Sequence, residues 1–142
     1  ATFLILILFS NTSVLTQATR GHLQRRANAA RRARRAPPRA TIAKVPTRGT
    51  QNSACLDLFS AVDTVLPPNL ITVIPTDIAI QCPKGTYMRI ATRSSLALKH
   101  LTIEGGVVDS DYRGEIKILM KNHGKDPIRF DTGSKIAQFI FD

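Results

Sequence analysis

The sequence predicts an all-β domain over residues 41–142, and three observations support this prediction. In this region, short runs rich in Ile and Val are separated by Pro, Gly and Asn at close intervals. In one run the apolar side chains occupy every second position, Ile116, Ile118 and Met120, which is the period of a strand with one buried face. No window of about 11 residues shows the apolar stripe of an amphipathic helix. A β-sandwich or jelly roll is therefore expected.

Each candidate strand is an apolar run bounded by turn-forming residues. The candidate strands are Ala54–Phe59, Leu70–Ile74, Asp77–Cys82, Thr86–Ala91, Glu115–Lys121 and Lys135–Phe141. The sequences between them favour turns, at Pro67-Pro68-Asn69, Pro83-Lys84-Gly85, Asn122-His123-Gly124 and Thr132-Gly133-Ser134.

The charge of the chain separates an N-terminal segment, 1–40, from the predicted domain. The chain of 142 residues has a formal net charge of +10, and all of this excess lies in the first 50 residues. The apolar run Phe3–Phe9 is far shorter than the roughly 20 residues that a membrane-spanning helix needs. Arg20–Arg39 is rich in Arg and Ala and has no acid, so we expect it to be disordered.

Three interpretations of this basic arm remain open: a solvated tail, an organelle transit segment, and a nuclear-targeting or nucleic-acid-binding arm. They are compatible with an intracellular protein of the nucleus or the mitochondrion. The two cysteines, Cys55 and Cys82, form no CxxC pair, which predicts two free thiols rather than a zinc site or a disulfide.

Three polar clusters interrupt the β-pattern. In the first, Asp57 lies between apolar residues of a candidate strand. In the second, Arg93 is followed by Ser94 and Ser95, and a cation beside two hydroxyls suits a phosphate. The third, Gly105–Gly114, combines a glycine pair, two acids and a tyrosine. Each cluster taken alone is also compatible with a turn or an ordinary surface loop.

The order of these clusters resembles four of the five motifs of the trimeric dUTPases, a family with a jelly-roll fold. The resemblance extends from Pro46 to Asp142, and the third motif is the most specific part of it. Motifs one to four correspond in order to Ser53–Ala61, Pro83–Ala97, Gly106–Gly114 and Gly133–Gln138.

The resemblance implies hydrolysis of dUTP to dUMP and pyrophosphate, which limits uracil incorporation into DNA and supplies dUMP for thymidylate synthesis. Asp109 would be the general base that activates the attacking water. Tyr112 would pack under the deoxyribose and leave no room for a 2′-hydroxyl. The backbone around Gly106 and Val107 would recognise the uracil edge, since a residue without Cβ allows close approach.

The resemblance also implies how the phosphates are held. Arg93, Ser94, Ser95 and Gln138 would bind the triphosphate, and Asp57 would hold water around a Mg²⁺ bound mainly through phosphate oxygens. The family's assembly is a homotrimer whose sites lie between subunits, with motif three of one chain facing the other motifs of a second chain. No membrane partner is expected.

The sequence departs from the family pattern in four places. Cys55-Leu56 stands where Gly and an aromatic or aliphatic residue are usual, and Ser134 stands where Asp is common. The sequence begins at Ala1 and ends at Asp142, before the fifth motif, so we expect a fragment, for example of a viral or retroelement polyprotein. Arg93-Ser94-Ser95, rather than Arg-Ser-Gly, favours viral relatives.

Two alternatives to dUTP hydrolysis follow from the same residues. dCTP deaminase shares the Arg-Ser-Ser motif and the jelly roll, but it needs a glutamate where this chain has Ile116–Leu119. A catalytically silent module that binds nucleotide or protein is favoured by the absent fifth motif and by Cys55-Leu56, whereas Asp109 and Tyr112 argue against it.

Overall fold

The computed structural model describes Ile5–Ile7 and residues 42–142 of the chain. The chain divides into one unit of Ala1–Leu8 and Thr41–Asp142 and a second unit, Phe9–Ala40. The second unit lies outside the described residues, so the interpretations of Arg20–Arg39 and the division of the chain at residue 40 stay predictions. In the described part, no helix has the length and apolar character to cross a membrane.

The regular secondary structure in the described part of the chain is almost entirely β-strand. In chain order these are β1 Ile5–Ile7, β2 Thr47–Arg48, β3 Leu56–Phe59, β4 Thr64–Leu66, β5 Ile71–Pro75, β6 Ile78–Ile80, β7 Met88–Ala91, β8 Leu101–Glu104, β9 Val107–Val108, β10 Lys117–Asn122, β11 Ile128–Phe130 and β12 Lys135–Phe141. One short helix, α1 Ser94–Ala97, separates β7 from β8. The all-β prediction is confirmed.

The strands pair antiparallel throughout the described residues. The largest sheet has the order β2-β3-β12-β7-β9, and a second has the order β5-β10-β8. Strands β11 and β4 form a two-stranded ribbon, as do β1 and β6. β1 lies within the apolar run Phe3–Phe9, for which the sequence predicted no strand.

The core is formed by the inward-facing side chains of these strands. The predicted alternation in β10 is confirmed, because Ile118 and Met120 are fully buried while Leu119 between them is 40% exposed. The largest fully buried side chains are Phe139, Leu58, Leu66, Ile74, Ile78, Met88, Leu101, Ile116, Ile118, Met120, Ile136 and Asn122.

Backbone geometry corrects several predicted strand ends. Asp77 has a φ of 56°, which takes it out of the strand predicted to begin there, so β6 begins at Ile78. Thr86 belongs to a turn in which its N–H donates to Pro83 O at 3.2 Å, so β7 begins only at Met88. The strand predicted from Ala54 begins at Leu56, and the last strand, Lys135–Phe141, has the predicted bounds.

Candidate active site

Asp57 is a buried carboxylate with a cation on each oxygen. It lies in β3 and is only 6% exposed. Arg93 Nε donates to Asp57 Oδ1 at 2.9 Å, and Lys135 Nζ lies 2.7 Å from Asp57 Oδ2. A buried charge is tolerated only when it is paired and hydrogen-bonded, and these two contacts meet that requirement. The three side chains together have a net charge of +1.

Three neighbouring strands position this group, which we call the Asp57 cluster: Asp57, Arg93, Lys135 and Gln138. Gln138 of β12 lies opposite Asp57 of β3 on one side and opposite Ala91 of β7 on the other. Its side-chain Nε2 donates to Thr92 O at 3.3 Å. The structure therefore brings together Asp57, Arg93 and Gln138, which the sequence assigned to three different motifs.

The serines of the second motif lie in the first turn of α1. Arg93 precedes the helix in an extended conformation, with a φ of −71° and a ψ of 141°. Leu96 is 6% exposed and anchors the turn in the core, while Ser94 and Ser95 are exposed. Both hydroxyls are therefore open to solvent immediately after the guanidinium of Arg93.

Lys135 was not among the residues singled out from the sequence. A regular strand places side chains three positions apart on opposite faces, so simple alternation separates Lys135 from Gln138. The observed register contains a bulge, because Lys135 pairs with Phe59 whereas Ala137 already pairs with Leu58. A bulge adds one residue to one strand, and here it returns Lys135 to the face of Asp57 and Gln138.

Strand β9 forms an edge of the large sheet and contains the start of the third motif. Ile90 N–H donates to Gly106 O at 2.7 Å, so one hydrogen bond between the strands joins these two residues. Arg89 and Val107 pair next to them. Because hydrogen-bonded and non-hydrogen-bonded pairs alternate in antiparallel strands, the N–H and C=O of Val107 point to the open edge.

Gly106 allows this close approach of the two strands. Its φ is +87°, and a Cβ at this position would lie 2.7 Å from Ile90 O. Both observations require glycine. The sequence predicted that the backbone of Gly106 and Val107 recognises the uracil edge. The carbonyl of Gly106 is already bonded within the sheet, so Val107 is the one of these two residues with outward-facing backbone groups.

The turn after β9 presents Asp109 and Tyr112 to solvent. Tyr112 N–H donates to Asp109 O at 3.1 Å, and Tyr112 Oη–H donates to Glu115 O at 3.0 Å. Tyr112 is 44% exposed. It lies over Gly114, where a Cβ would be 2.6 Å from Tyr112 Cζ, so glycine is needed to hold the ring in this position.

A cavity of about 210 Å³ opens beside this turn, and its walls include Val107, Asp109, Tyr112 and Leu119. The four residues of the Asp57 cluster all lie in the described part of the chain, and none of them lines this cavity. No hydrogen bond or ion pair within the described part joins Asp109 or Tyr112 to that cluster. The residues predicted for one site therefore form two separate regions of a single chain.

The described residues contain no group of three or more His, Cys, Asp and Glu side chains that could hold a metal ion directly. Both Asp57 oxygens already contact a cation, although an ionised carboxylate has about four acceptor positions. These residues fit a Mg²⁺ that is held by phosphate oxygens and water, with Asp57 accepting from one such water. They do not fit a metal held by protein ligands alone.

The geometry defines a β-sandwich protein with two polar regions. One is the positively charged Asp57 cluster on the large sheet, and the other is the acidic turn after the edge strand β9. A model of the dUTPase family matches residues 41–142. The chain belongs to the dUTPase family, as the sequence motifs predicted.

Named relatives agree with this assignment. The chain is 48% identical over 99 residues to the deoxyuridine 5′-triphosphate nucleotidohydrolase of cowpox virus, a match that covers 70% of this chain and 67% of that protein. The match to the vaccinia virus (strain Copenhagen) enzyme has the same identity and coverage. The chain thus spans about two thirds of the length of these curated relatives.

Solved structures show the same fold. The native EIAV dUTPase has a TM-score of 0.65 and 33% identity, over 72% of this chain and 85% of that one. The Staphylococcus bacteriophage 80alpha dUTPase with dUpNHpp has a TM-score of 0.66 and 29% identity, over 70% and 76%. A mutant dUTPase of phage phi11 of S. aureus, described with a structural Mg(II) ion, has a TM-score of 0.66 and 28% identity, over 73% and 87%.

Proposed function

We propose that this chain hydrolyses dUTP to dUMP and pyrophosphate. The observation that carries the proposal is the cavity beside β9, where three different chemical groups meet. The outward-facing backbone of Val107 offers a donor and an acceptor to a base edge, Tyr112 offers a flat apolar surface to a sugar, and Asp109 offers an exposed carboxylate to a water. These are the groups needed at the nucleoside end of dUTP.

Asp109 is the general base of the proposed reaction. Its carboxylate takes a proton from the attacking water as the water oxygen bonds to the α-phosphorus. The bond from this phosphorus to the oxygen that bridges the α- and β-phosphates breaks, and pyrophosphate leaves with the electron pair. Positioned base catalysis of this kind contributes about 10²–10⁴-fold in rate.

Tyr112 selects the sugar in this proposal. The Tyr112 hydroxyl is held by Glu115 O, and the ring is held above Gly114, so the ring face is fixed toward the cavity. A ring packed under the deoxyribose leaves no space for a 2′-hydroxyl. UTP is therefore excluded by shape.

In this proposal the triphosphate is bound by four residues, Arg93, Ser94, Ser95 and Gln138. Arg93 uses Nε to contact Asp57, so the other guanidinium nitrogens can donate to phosphate oxygens. The exposed hydroxyls of Ser94 and Ser95 and the amide of Gln138 complete the set. Asp57 would accept a hydrogen bond from a water on a Mg²⁺ held by the phosphates, and that ion would supply charge neutralisation.

We propose a homotrimer in which each site combines two chains. The support is the separation of the Asp57 cluster from the cavity with Asp109 and Tyr112 within one chain. An exposed apolar face on β5 and β10, formed by Ile71, Val73 and Leu119, reaches this cavity at Leu119. Contact between copies of the chain would cover this face and bring the two halves of the site together.

The test is pyrophosphate release from dUTP in Mg²⁺, with UTP and dCTP measured in parallel and Asp109→Asn as the blank. We expect release from dUTP alone and none from the Asp109 variant. Binding of dUTP without release would support the silent module instead, and release from dCTP or UTP at the same rate would contradict the assignment of substrate.

A further inference from the structure

We propose that Lys135 is a second phosphate-binding cation of the site and that Asp57 is the residue that positions both Lys135 and Arg93. The inference rests on the proposed function and extends it to a residue outside the set named from the motifs. The carboxylate of Asp57 contacts two cations, Arg93 at Oδ1 and Lys135 at Oδ2, the second at 2.7 Å.

The sheet, rather than a flexible loop, places Lys135 in the cluster. Asp57 and Phe59 lie on one face of β3, because side chains two positions apart share a face. Through the bulge, Lys135 pairs with Phe59 and Gln138 pairs with Asp57, so all four side chains lie on this face. The backbone of two hydrogen-bonded strands thus fixes where the ammonium group lies.

Arg93 and Lys135 together have more positive charge and more N–H donors than are needed to neutralise and hydrogen-bond the one carboxylate of Asp57. A single carboxylate is neutralised by one cation, and here it contacts two. Lys135 has three N–H donors and Arg93 has five, and the contacts to Asp57 use one of each. The Lys135 side chain is 41% exposed and that of Arg93 is 27% exposed, whereas the Asp57 side chain is 8% exposed. The remaining donors can therefore reach a ligand from solvent, while the acid between them cannot repel it at close range.

This arrangement predicts a ligand with several negative charges. A nucleoside triphosphate has more phosphate oxygens than a monophosphate has, so a second cation contributes more to its binding. Lys135 would accordingly favour the substrate over the product dUMP, which assists product release.

The test is a comparison of two ligands by isothermal titration calorimetry with the Lys135→Met variant. We expect the affinity for dUpNHpp to fall about tenfold or more, the usual effect of losing one charge-assisted contact, and that for dUMP to fall less than about threefold. Lys135→Arg, which keeps the charge and can still reach Asp57, should restore most of the dUpNHpp affinity. Lys125→Met, at an exposed lysine between β10 and β11, is the matched control and should change neither affinity.

Urea unfolding of the same variants separates binding from folding. An equal loss of affinity for dUpNHpp and dUMP, or no loss for either, would overturn the role of Lys135 and leave it as a structural partner of Asp57. A wild-type chain that binds neither ligand would instead contradict the proposed function, on which this inference rests. A selective loss for dUpNHpp with an unchanged unfolding midpoint would establish Lys135 in the phosphate site.

Discussion

The two halves of the candidate site are held in opposite ways. The Asp57 cluster is built across three paired strands, and its central carboxylate is buried between two cations. Asp109 and Tyr112 lie in an exposed turn after an edge strand, where the Tyr112 hydroxyl donates to Glu115 O and the ring lies over Gly114. The difference shows that the Asp57 cluster is preorganised within one chain, and under the proposed function a second chain would enclose the half that contacts the nucleoside.

Loss of the carboxylate at Asp109 should have the largest effect on catalysis and almost none on folding. In Asp109→Asn we expect the turnover of dUTP to fall about 10²–10⁴-fold, because the attacking water loses its base. Binding of dUpNHpp should be nearly unchanged. Asp111→Asn, in the same exposed turn, is the control, and turnover equal to wild type in Asp109→Asn would remove this residue from the mechanism.

Loss of the charge at Asp57 should instead reduce stability. Asp57→Asn leaves Arg93 and Lys135 close together without the anion between them, although both can turn toward water. We expect the free energy of unfolding to decrease by about 1–3 kcal/mol, measured by urea denaturation. Asp109→Asn should not change it, and equal unfolding midpoints for the two variants would contradict the contrast between the regions.

The Tyr112 ring should affect selectivity rather than turnover of the preferred substrate. In Tyr112→Ala we expect the ratio of kcat/KM for UTP to that for dUTP to rise about tenfold, since space opens for the 2′-hydroxyl. Gly114→Ala should act in the same direction, because the new Cβ displaces the ring. Tyr112→Phe keeps the ring but loses the hydrogen bond to Glu115 O, so the ratio should rise less than in Tyr112→Ala. An unchanged ratio in Tyr112→Ala would exclude the ring as the group that selects the sugar.

The two cysteines differ in burial, which predicts that they react with a thiol reagent at different rates. Both thiols are free, as the sequence predicted. Burial raises the pKa of Cys82, and the nearby positive charge of Arg113 offsets this only in part, so its reactive thiolate is scarce. At about pH 8 we expect a thiol reagent to label half-buried Cys55, beside β3, before Cys82. Cys55→Ser should remove the fast phase, and a single rate for both thiols would contradict the prediction.

The sequence predicted β3, β5, β6, β7, β10 and β12 as apolar runs between turn-forming residues, and β10 also by an alternation of apolar side chains. The short strands β4, β8 and β11 were not predicted. The motifs predicted Asp57, Arg93 and Gln138, and the structure brings these side chains together. Lys135 was missed because a bulge, which depends on the pairing of two strands distant in sequence, reverses the face that simple alternation assigns to it.

In the proposed homotrimer the two regions meet between copies of the chain, and subunit complementation tests this arrangement. Asp109→Asn and Gln138→Ala are each expected to be inactive alone. After the two variants are unfolded and refolded together, some sites would combine an intact Asp109 from one chain with an intact Gln138 from another. Random mixing predicts recovery of roughly a quarter of the wild-type pyrophosphate release per chain. No recovery from two folded, assembled variants would place the whole site within one chain. It would contradict the proposal that each site combines two chains.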